Sequence, residues 1–259
     1  MTGVAGRVAL VTGAGSAEGI GFATAKFLAN AGAIVAITST TNRIFDRAKE
    51  LGNAHEAYVA DLTNPEATTE LVKSLCKKFG PIEILINNAG MVQSGKRSKA
   101  SLIENTEDAD WQNHLSLNLT TAFNVTRAAL PFMQRRKYGR IVNVASVTGP
   151  LVTNPRSAGY AAAKAAMTGL TRSTAIENAS RGITCNAVLP GWIETASASK
   201  QEIIAGKASP TARPGRPDEV AAACLFLASH EASYVNGSML VVDGANSIVE
   251  FKGHGEDWY

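Results

Sequence analysis

The chain has 259 residues, of which 45% are hydrophobic and 18% are charged. This composition supplies a buried core of ordinary size and excludes a disordered chain or a small disulfide-stabilised protein. The formal net charge of +3 is too small and too scattered for a nucleic-acid-binding protein. The three cysteines lack metal-like spacing, and no signal peptide or membrane-spanning apolar run is evident. We therefore expect a soluble cytoplasmic protein without a metal site.

Short apolar runs alternate with longer amphipathic stretches along the chain. The apolar runs are mostly continuous, which is typical of strands buried on both faces of a parallel sheet. Pro65 and Pro217 stand where a first helical turn tolerates proline, and Gly52 follows a predicted helix as a C-terminal glycine often does. The pattern predicts an α/β fold with a doubly wound parallel sheet and helices on both faces. The predicted strands are 8–11, 34–37, 57–60, 82–86, 140–144, 183–188 and 239–242, and the predicted helices are 19–31, 43–51, 65–79, 108–134, 157–179 and 217–229.

Two long stretches, residues 91–107 and 192–216, lack a regular pattern. Each follows a predicted strand, so each should lie at the carboxyl edge of the sheet, where open α/β sheets bind ligands. Loops of this length in a compact domain usually act as lids or binding loops. We expect Trp192, which begins the second stretch, to form one wall of a substrate pocket.

A glycine-rich segment, TGAGSAEGIG, joins the first strand to the first helix over residues 12–21. Gly13 permits a sharp turn, Gly19 lets a pyrophosphate approach the backbone, and Gly21 lets the helix pack on the sheet. The free N–H groups at the start of that helix would then face the phosphates. Glycines also make ordinary turns, but this position after the first strand favours a dinucleotide site.

The end of the second strand indicates which nicotinamide cofactor is bound. An NAD site would place an aspartate or glutamate there for the ribose 2′-hydroxyl, and the segment TSTTNR at 38–43 contains neither. Its hydroxyls and Arg43 suit a 2′-phosphate, because they donate hydrogen bonds and a positive charge. Against this, Glu18 adds negative charge to the glycine-rich segment, and Arg43 could equally be a solvated side chain. We expect NADP (NADPH) rather than NAD, since the missing ribose acid is the more direct signal.

Tyr160 and Lys164 are four residues apart in a predicted helix, which places both side chains on one face. A nearby ammonium favours the phenolate, so we expect Lys164 to lower the pKa of Tyr160, and a bound nicotinamide cation to lower it further. Such a phenol can exchange a proton with an oxygen whose carbon gains or loses hydride. A surface tyrosine beside an exposed lysine is the ordinary alternative.

Two further polar residues fit the same chemistry. Ser146 follows a predicted strand, where its hydroxyl can polarise a substrate carbonyl. Asn118 lies among leucines, where it could hold a water that relays protons from Lys164. Taken singly, each has an ordinary alternative: a serine that closes a turn, and an asparagine that bonds to the backbone.

From about residue 8 to residue 244, the chain resembles the short-chain dehydrogenase/reductase family. The resemblance rests on the segments described above, in this order, together with Asp61, Asn87-Asn88-Ala89-Gly90 and Pro190-Gly191. The resemblance implies one Rossmann-type domain over 1–259, a seven-stranded sheet, NAD(P) and a homotetramer. It implies that Tyr160 is the acid/base, Lys164 its pKa modulator and a ribose ligand, Ser146 the carbonyl donor and Asn118 the relay. The cofactor contacts expected in full, beside Tyr160 and Lys164, are Gly13, Ser16, Gly19, Ile20, Gly21, Ser39, Thr40, Arg43, Asp61, Leu62, Asn87, Ala89, Gly90, Pro190, Gly191, Ile193 and Thr195.

Two spacings depart from the family pattern. Gly13 and Gly19 enclose five residues, two more than usual, whereas counting from Gly15 restores the spacing but leaves the first glycine two places early. Ser146 and Tyr160 are 14 positions apart, one more than the family pattern leads us to expect.

Within the family, overall similarity is greatest to bacterial 3-oxoacyl-carrier-protein reductases, a label that also covers reductases of small ketones. We therefore predict an NADPH-dependent reductase of ketones, with or without a carrier arm, for which 3-oxoacyl thioesters are one candidate substrate. The Arg135–Lys137 run and Arg181 are candidates for docking a carrier protein, and a solvated basic surface is an equally good alternative. An NAD-dependent dehydrogenase of a sugar or another secondary alcohol stays open, as does a non-catalytic NADP-binding sensor. The tail, residues 245–259, exceeds the usual family ending, and we expect it to reach the site of a neighbouring subunit.

Overall fold

The computed structural model describes residues 3–90 and 101–250 of the chain. In this part, seven strands form an entirely parallel sheet in the order β3-β2-β1-β4-β5-β6-β7. The strands are β1 (Val8–Val11), β2 (Ile34–Ser39), β3 (Glu56–Val59), β4 (Ile84–Asn87), β5 (Gly139–Val144), β6 (Ile183–Pro190) and β7 (Met239–Val242). The helices are α1 (Ile20–Asn30), α2 (Arg43–Leu51), α3 (Pro65–Phe79), α4 (Asp108–Leu115), α5 (Thr121–Arg136), α6 (Ala158–Asn178), α7 (Lys200–Lys207) and α8 (Pro217–Ala228).

Helices cover both faces of the sheet, which confirms the predicted doubly wound fold. Consecutive residues of β1 point into opposite layers: Ala9 and Val11 pack with α1, α2 and α8, whereas Val8 and Leu10 pack with α3, α5 and α6. Because both faces are buried, a continuous apolar run is what such a strand requires. The amino ends of the strands form one edge of the sheet, and their carboxyl ends form the other.

Most predicted elements are confirmed to within two residues at each end. The single helix predicted over 108–134 is confirmed as one continuous helical stretch over 108–136, with a π-helical turn at Ser116–Thr120 between α4 and α5 that the pattern did not predict. The irregular stretch predicted over 192–216 is wrong in part, because it contains α7. A capping box begins α7: Ser199 Oγ accepts a hydrogen bond from the Glu202 N–H at 3.2 Å, and the Glu202 carboxylate accepts one from the Ser199 N–H at 2.6 Å.

Residues 91–100, within the first predicted loop, lie outside the described residues, as do 251–259 of the predicted tail. The described remainder of that loop contains a 3₁₀ turn at Ile103–Asn105. The predicted contact between the tail and a neighbouring subunit stays a prediction.

Candidate active site

Ser146, Tyr160 and Lys164 meet at the carboxyl edge of the sheet, beside the end of β5. Ser146 stands two residues beyond β5, where its Oγ accepts a hydrogen bond of 3.1 Å from the Thr148 N–H. The Ser146 side chain lies close enough to Tyr160 to lower the pKa of its phenol, against the larger rise that burial causes. Lys164, one turn along α6, donates to the carbonyl oxygen of Val144 at 2.9 Å. The three side chains that the sequence singled out therefore form one cluster.

The spacing between Ser146 and Tyr160 is accommodated by a tight turn. Gly149 adopts a φ of +108° and donates from its N–H to the Val152 carbonyl at 2.7 Å. A Cβ at Gly149 would lie 3.0 Å from the backbone nitrogen of Ala165 and closer still to the carbonyl of Ala161. Glycine thus lets this turn lie directly on α6, and the extra residue does not separate the two hydroxyls.

Burial dominates the electrostatics of the pair on α6. It lowers the pKa of Lys164 to about 8. It also raises the pKa of Tyr160, an effect that the Ser146 side chain opposes and the charge of Glu202 reinforces. The prediction that Lys164 lowers the pKa of Tyr160 is therefore wrong for the chain by itself. The ammonium nitrogen lies 5.7 Å from the centre of the tyrosine ring and donates to Val144, and its charge is not among the causes that shift the pKa of the phenol.

Asn118 lies in the π-helical turn and is fully buried. Its amide nitrogen donates to the carbonyl oxygen of His114 at 3.1 Å, and its Oδ1 has no hydrogen-bond partner within the described residues. A Cβ at Gly90 would lie 2.9 Å from that Oδ1 and 3.4 Å from the ammonium nitrogen of Lys164. The missing side chain at Gly90 thus leaves a small space that both polar groups border.

The glycine-rich segment is fixed to the segment after β4. Thr12 Oγ1 accepts hydrogen bonds from the N–H groups of Asn88 and Ala89 at 3.0 and 2.9 Å, and the Asn88 amide donates to the carbonyls of Thr12 and Gly13 at 3.1 and 3.0 Å. Gly13 adopts a φ of +68°, which favours glycine. The first glycine of the family pattern is therefore Gly13, and the spacing counted from Gly15 does not apply.

The two additional residues extend this loop towards the end of β2. The Ala14 N–H donates to the Thr38 carbonyl at 2.9 Å, and a Cβ at Gly15 would lie 2.9 Å from the Ser39 side chain. After the loop, α1 begins at Gly19 without a side-chain cap and without an acidic residue in its first turn. Its N–H groups are left for a ligand at this edge, and such a helix start suits a phosphate.

The residues expected at the adenosine side of a cofactor lie beyond β2 and β3. Arg43 is exposed at the start of α2, where its Nε donates to the Thr41 hydroxyl at 3.2 Å. Asp61 accepts from the N–H and the hydroxyl of Thr63 at 2.9 and 2.6 Å. Sequence reasoning missed Asn124, which is buried in α5 and donates to the carbonyls of Leu62 and Thr63 at 3.1 and 3.2 Å. An asparagine in a helix is a weak signal, and only the fold brings it to this loop.

The stretch after β6 is held at both ends. The Gly215 N–H donates to the Trp192 carbonyl at 2.8 Å, and the Glu194 N–H donates to the Gly215 carbonyl at 2.8 Å. Near its end, Arg213 donates two hydrogen bonds to the carboxylate of Glu219, at 2.9 and 2.6 Å. The Arg213 guanidinium and the Arg216 N–H hold the pKa of Glu219 at about 2.

A cavity of about 540 Å³ lies between this stretch and the start of α1. Glu18 and Ala17 of the glycine-rich segment line one side, and Glu194, Thr195 and Arg216 line the other. Thr195 therefore lies near the glycine-rich segment, as expected of a cofactor contact. Arg135 and Arg136, expected at a carrier, lie instead at the end of α5, on the amino edge of the sheet.

Within residues 3–90 and 101–250, no group of histidine, cysteine, aspartate and glutamate side chains could hold a metal ion. In the same ranges, the longest apolar helical segments fall short of what a membrane crossing needs. All three cysteines of the chain are free thiols.

A family model described as enoyl-(acyl carrier protein) reductase matches residues 13–245 of the chain. The chain belongs to the short-chain dehydrogenase/reductase family. It is an NAD(P)-dependent oxidoreductase that acts on CH–OH and C=O groups. The 3-oxoacyl-[acyl-carrier-protein] reductases of Vibrio cholerae and Thermotoga maritima are 40% and 38% identical to it, over 94% and 92% of this chain and 98% and 97% of theirs.

Other members of the short-chain dehydrogenase/reductase family are similar over the same length. The oxidoreductase UcpA of Escherichia coli K12 is 38% identical over 95% of this chain and 96% of its own. Among solved structures, a protein assigned as a gluconate dehydrogenase of Agrobacterium tumefaciens is 34% identical with a TM-score of 0.87, over 96% of this chain and 98% of that one. Proteins that are similar to this chain over most of its length thus have names that refer to different substrates.

Proposed function

We propose that this enzyme is an NADPH-dependent reductase that converts ketones, including 3-oxoacyl thioesters, to secondary alcohols. The observation that carries the proposal is the cluster of Ser146, Tyr160 and Lys164 at the carboxyl edge of the sheet. A sensor that only bound NADP would not need a buried lysine beside a buried phenol, since burying an ammonium costs stability.

The residues of the cluster have separate tasks. Ser146 donates a hydrogen bond to the carbonyl oxygen of the substrate and orients it. Tyr160 gives its proton to that oxygen, because the alkoxide that forms there is a stronger base than a phenolate even when burial raises the pKa of the phenol. Lys164, with a pKa of about 8, is able to return a proton near physiological pH. The unpartnered Oδ1 of Asn118 would accept a hydrogen bond from a water that relays protons from Lys164.

The chain provides a fitting site for the nicotinamide cofactor, which supplies the hydride when it is bound. The uncapped start of α1 and the loop from Gly13 to Gly19 would hold the phosphates. Gly90 carries no side chain that would cover the Lys164 ammonium, which would hydrogen-bond to a ribose. At the adenosine end, Arg43 and the hydroxyl of Thr40 would bind a 2′-phosphate, because no carboxylate follows β2 before α2 begins.

The named relatives support two substrate classes. The 3-oxoacyl-[acyl-carrier-protein] reductases favour a thioester of a 3-oxo acid, with a carrier protein as a partner. The similarity to a protein assigned as a gluconate dehydrogenase favours a second candidate, the oxidation of a sugar-derived secondary alcohol with NAD. Glu18 supports this second candidate, because a carboxylate in the glycine-rich segment disfavours an additional phosphate nearby.

Nicotinamide absorbance separates these candidates. The purified protein should be assayed with NADPH and NADH on ethyl acetoacetate and on the acetoacetyl thioester of N-acetylcysteamine, and in reverse with gluconate and both oxidised cofactors. We expect kcat/KM with NADPH to exceed that with NADH by about tenfold or more on the ketones, the value of one charge-assisted contact. A higher kcat/KM for gluconate with NAD than for either ketone would favour the second candidate.

We also propose a homotetramer, the assembly that the family resemblance implies. Large apolar side chains are exposed on α5, on α6 and after β7, where Phe123 is 42%, Ile176 80% and Ile248 81% exposed. Exposed apolar groups on neighbouring helices are typical of subunit interfaces. Light scattering coupled to size-exclusion chromatography should give four times the mass of the chain, and a monomer mass would contradict this proposal.

A further inference from the structure

A second cleft, of about 430 Å³, lies between α3 and α5. Because α3 leads into β4 and α5 leads into β5, this cleft is at the amino edge of the sheet. Ser146 and Tyr160 lie at the opposite edge, so the cleft is separate from the candidate active site. Its walls are formed mainly by Lys73, Cys76, Lys77, Phe132, Arg135 and Arg136.

Four of these lining residues are cations, and no carboxylate lines the cleft. Lys73 pairs with Glu70 at 2.9 Å, outside the lining. Lys77 and Arg136 have no ion pair within the described parts of the chain. Cations in the last turn of a helix interact well with its carbonyl end, which accounts for their presence on each helix. This interaction with the helix ends does not explain why four cations lie around one cavity, since they repel one another there.

The lining between the cations is apolar. Phe132 and Pro81 contribute to it, together with the partly buried Cys76. The Arg135 guanidinium lies over the Phe132 ring, 4.6 Å from its centre, and so presents a flat surface. A fully solvated basic surface would not need such a recess. The occupant that matches the cleft therefore combines several negative charges with an apolar or aromatic body.

We propose that this cleft binds an organic diphosphate or triphosphate. A single carboxylate would neutralise one cation and leave three, whereas two or three linked phosphoryl groups can contact all four. The guanidinium of Arg136 suits the oxygens of a phosphate, which it can bind with two hydrogen bonds. Phe132 and Pro81 take the apolar body of the ligand. The site is independent of the proposed reduction.

Alkylation of Cys76 reports occupancy of the cleft directly, because Cys185 and Cys224 are buried whereas Cys76 is not. The full-length protein, saturated with NADPH to fill the cofactor site, is treated with iodoacetamide, and the Cys76 peptide is followed by mass spectrometry. Three probes are compared: adenosine triphosphate, geranyl diphosphate and inorganic pyrophosphate. At about ten times its Kd, an organic phosphate in the cleft should slow the alkylation about tenfold.

Charge reversal locates the effect. Lys77→Glu and Arg136→Glu should each abolish the protection of Cys76 against alkylation. For each variant, protection is measured as the ratio of the Cys76 alkylation rates without and with the probe. Lys49→Glu, in the last turn of α2 and outside the cleft, is the matched control and should keep it. Unchanged turnover of a ketone by all three variants verifies that they fold.

The outcomes decide the proposal. Protection by adenosine triphosphate indicates a nucleotide, and protection by geranyl diphosphate alone indicates a phosphorylated lipid precursor; both support the site. Three results overturn it: no protection by either compound, equal protection by inorganic pyrophosphate, or protection that persists in Lys77→Glu and Arg136→Glu. A Cys76 that is not alkylated in the free protein also overturns it, because another part of the assembly then covers the cleft.

Discussion

The ammonium group of Lys164 donates a hydrogen bond of 2.9 Å to the carbonyl oxygen of Val144, the last residue of β5. This bond joins α6 to the strand that leads to Ser146, so it fixes the distance between the two elements of the candidate active site. It also holds the buried ammonium 5.7 Å from the centre of the Tyr160 ring. Lys164 therefore links α6 to the sheet, and burial of its charge lowers the stability of the folded state.

Replacing Lys164 with methionine should change stability in a pH-dependent way. The folded-state pKa of about 8 lies below the ordinary value of 10.5, so burial penalises the charged form and the unfolded chain binds the proton more readily. The wild-type protein should therefore gain stability relative to Lys164→Met as the pH rises from 8 to 10.5, by about 3 kcal/mol in total. Urea unfolding of both proteins between pH 7 and 10.5 measures this. The prediction is contradicted if the difference in unfolding free energy between wild type and Lys164→Met is constant across that range. It is also contradicted if the difference for the exposed control Lys49→Met changes equally with pH.

Replacing Tyr160 with phenylalanine should remove the proton donor. Loss of a general acid lowers kcat by about 10²- to 10⁴-fold, whereas the aromatic ring and its packing remain. The thermal midpoint should hardly move, and nicotinamide absorbance gives kcat for both proteins. Tyr234→Phe is the matched control, because Tyr234 is fully exposed. Normal turnover by Tyr160→Phe would show that another group donates the proton.

Replacing Gly90 with alanine should close the space that Asn118 and Lys164 border. The new Cβ would lie 2.9 Å from Asn118 Oδ1, so either the asparagine shifts or the loop does. We expect weaker cofactor binding and a lower kcat, measured by fluorescence titration with NADPH and by steady-state kinetics. The control is Gly169→Ala in α6, where a Cβ would meet nothing within 4 Å. That change should leave kinetics intact and stabilise the helix by about 0.5–1 kcal/mol.

Replacing Arg43 with alanine should reduce the preference for NADPH. The guanidinium would contact the 2′-phosphate alone, so KM for NADPH should rise about tenfold while KM for NADH stays unchanged. Lys49→Ala removes a charge from the same helix, and it should affect neither cofactor. Equal changes in both KM values for Arg43→Ala would instead mean that this arginine stabilises α2 or the loop before it.

The sheet was predictable because burial on both faces leaves a direct record in the sequence. Runs such as Ile34–Ser39 must be apolar almost throughout to pack between two helical layers, and the glycine-rich segment could be placed because it follows the first of them. The capping-box pattern of Ser199 and Glu202 could also have revealed α7, although the small residues around it concealed the helix.

Other features depend on contacts that sequence spacing does not record. The raised pKa of Tyr160 results from partial burial of the phenol in the folded chain, which the four-residue spacing to Lys164 cannot convey. Asn124 reaches the carbonyl of Leu62 across 62 positions of the chain, and only the packing of α5 beside that loop brings them together. Sequence spacing could therefore suggest which side chains lie close together, but not how buried or charged their surroundings are.

The π-helical turn at Ser116–Thr120 has a consequence for how such an enzyme can change. A π turn contains one residue more than an α turn, so deleting a single residue there would restore a regular helix. Leu119 of the same turn packs against the apolar cluster that contains Met167 of α6, so the deletion would also change how α5 lies on α6. Asn118 would rotate out of its seat beside Gly90. One lost codon would thus separate the amide of Asn118 from the Lys164 ammonium, although both residues would still be present in the chain.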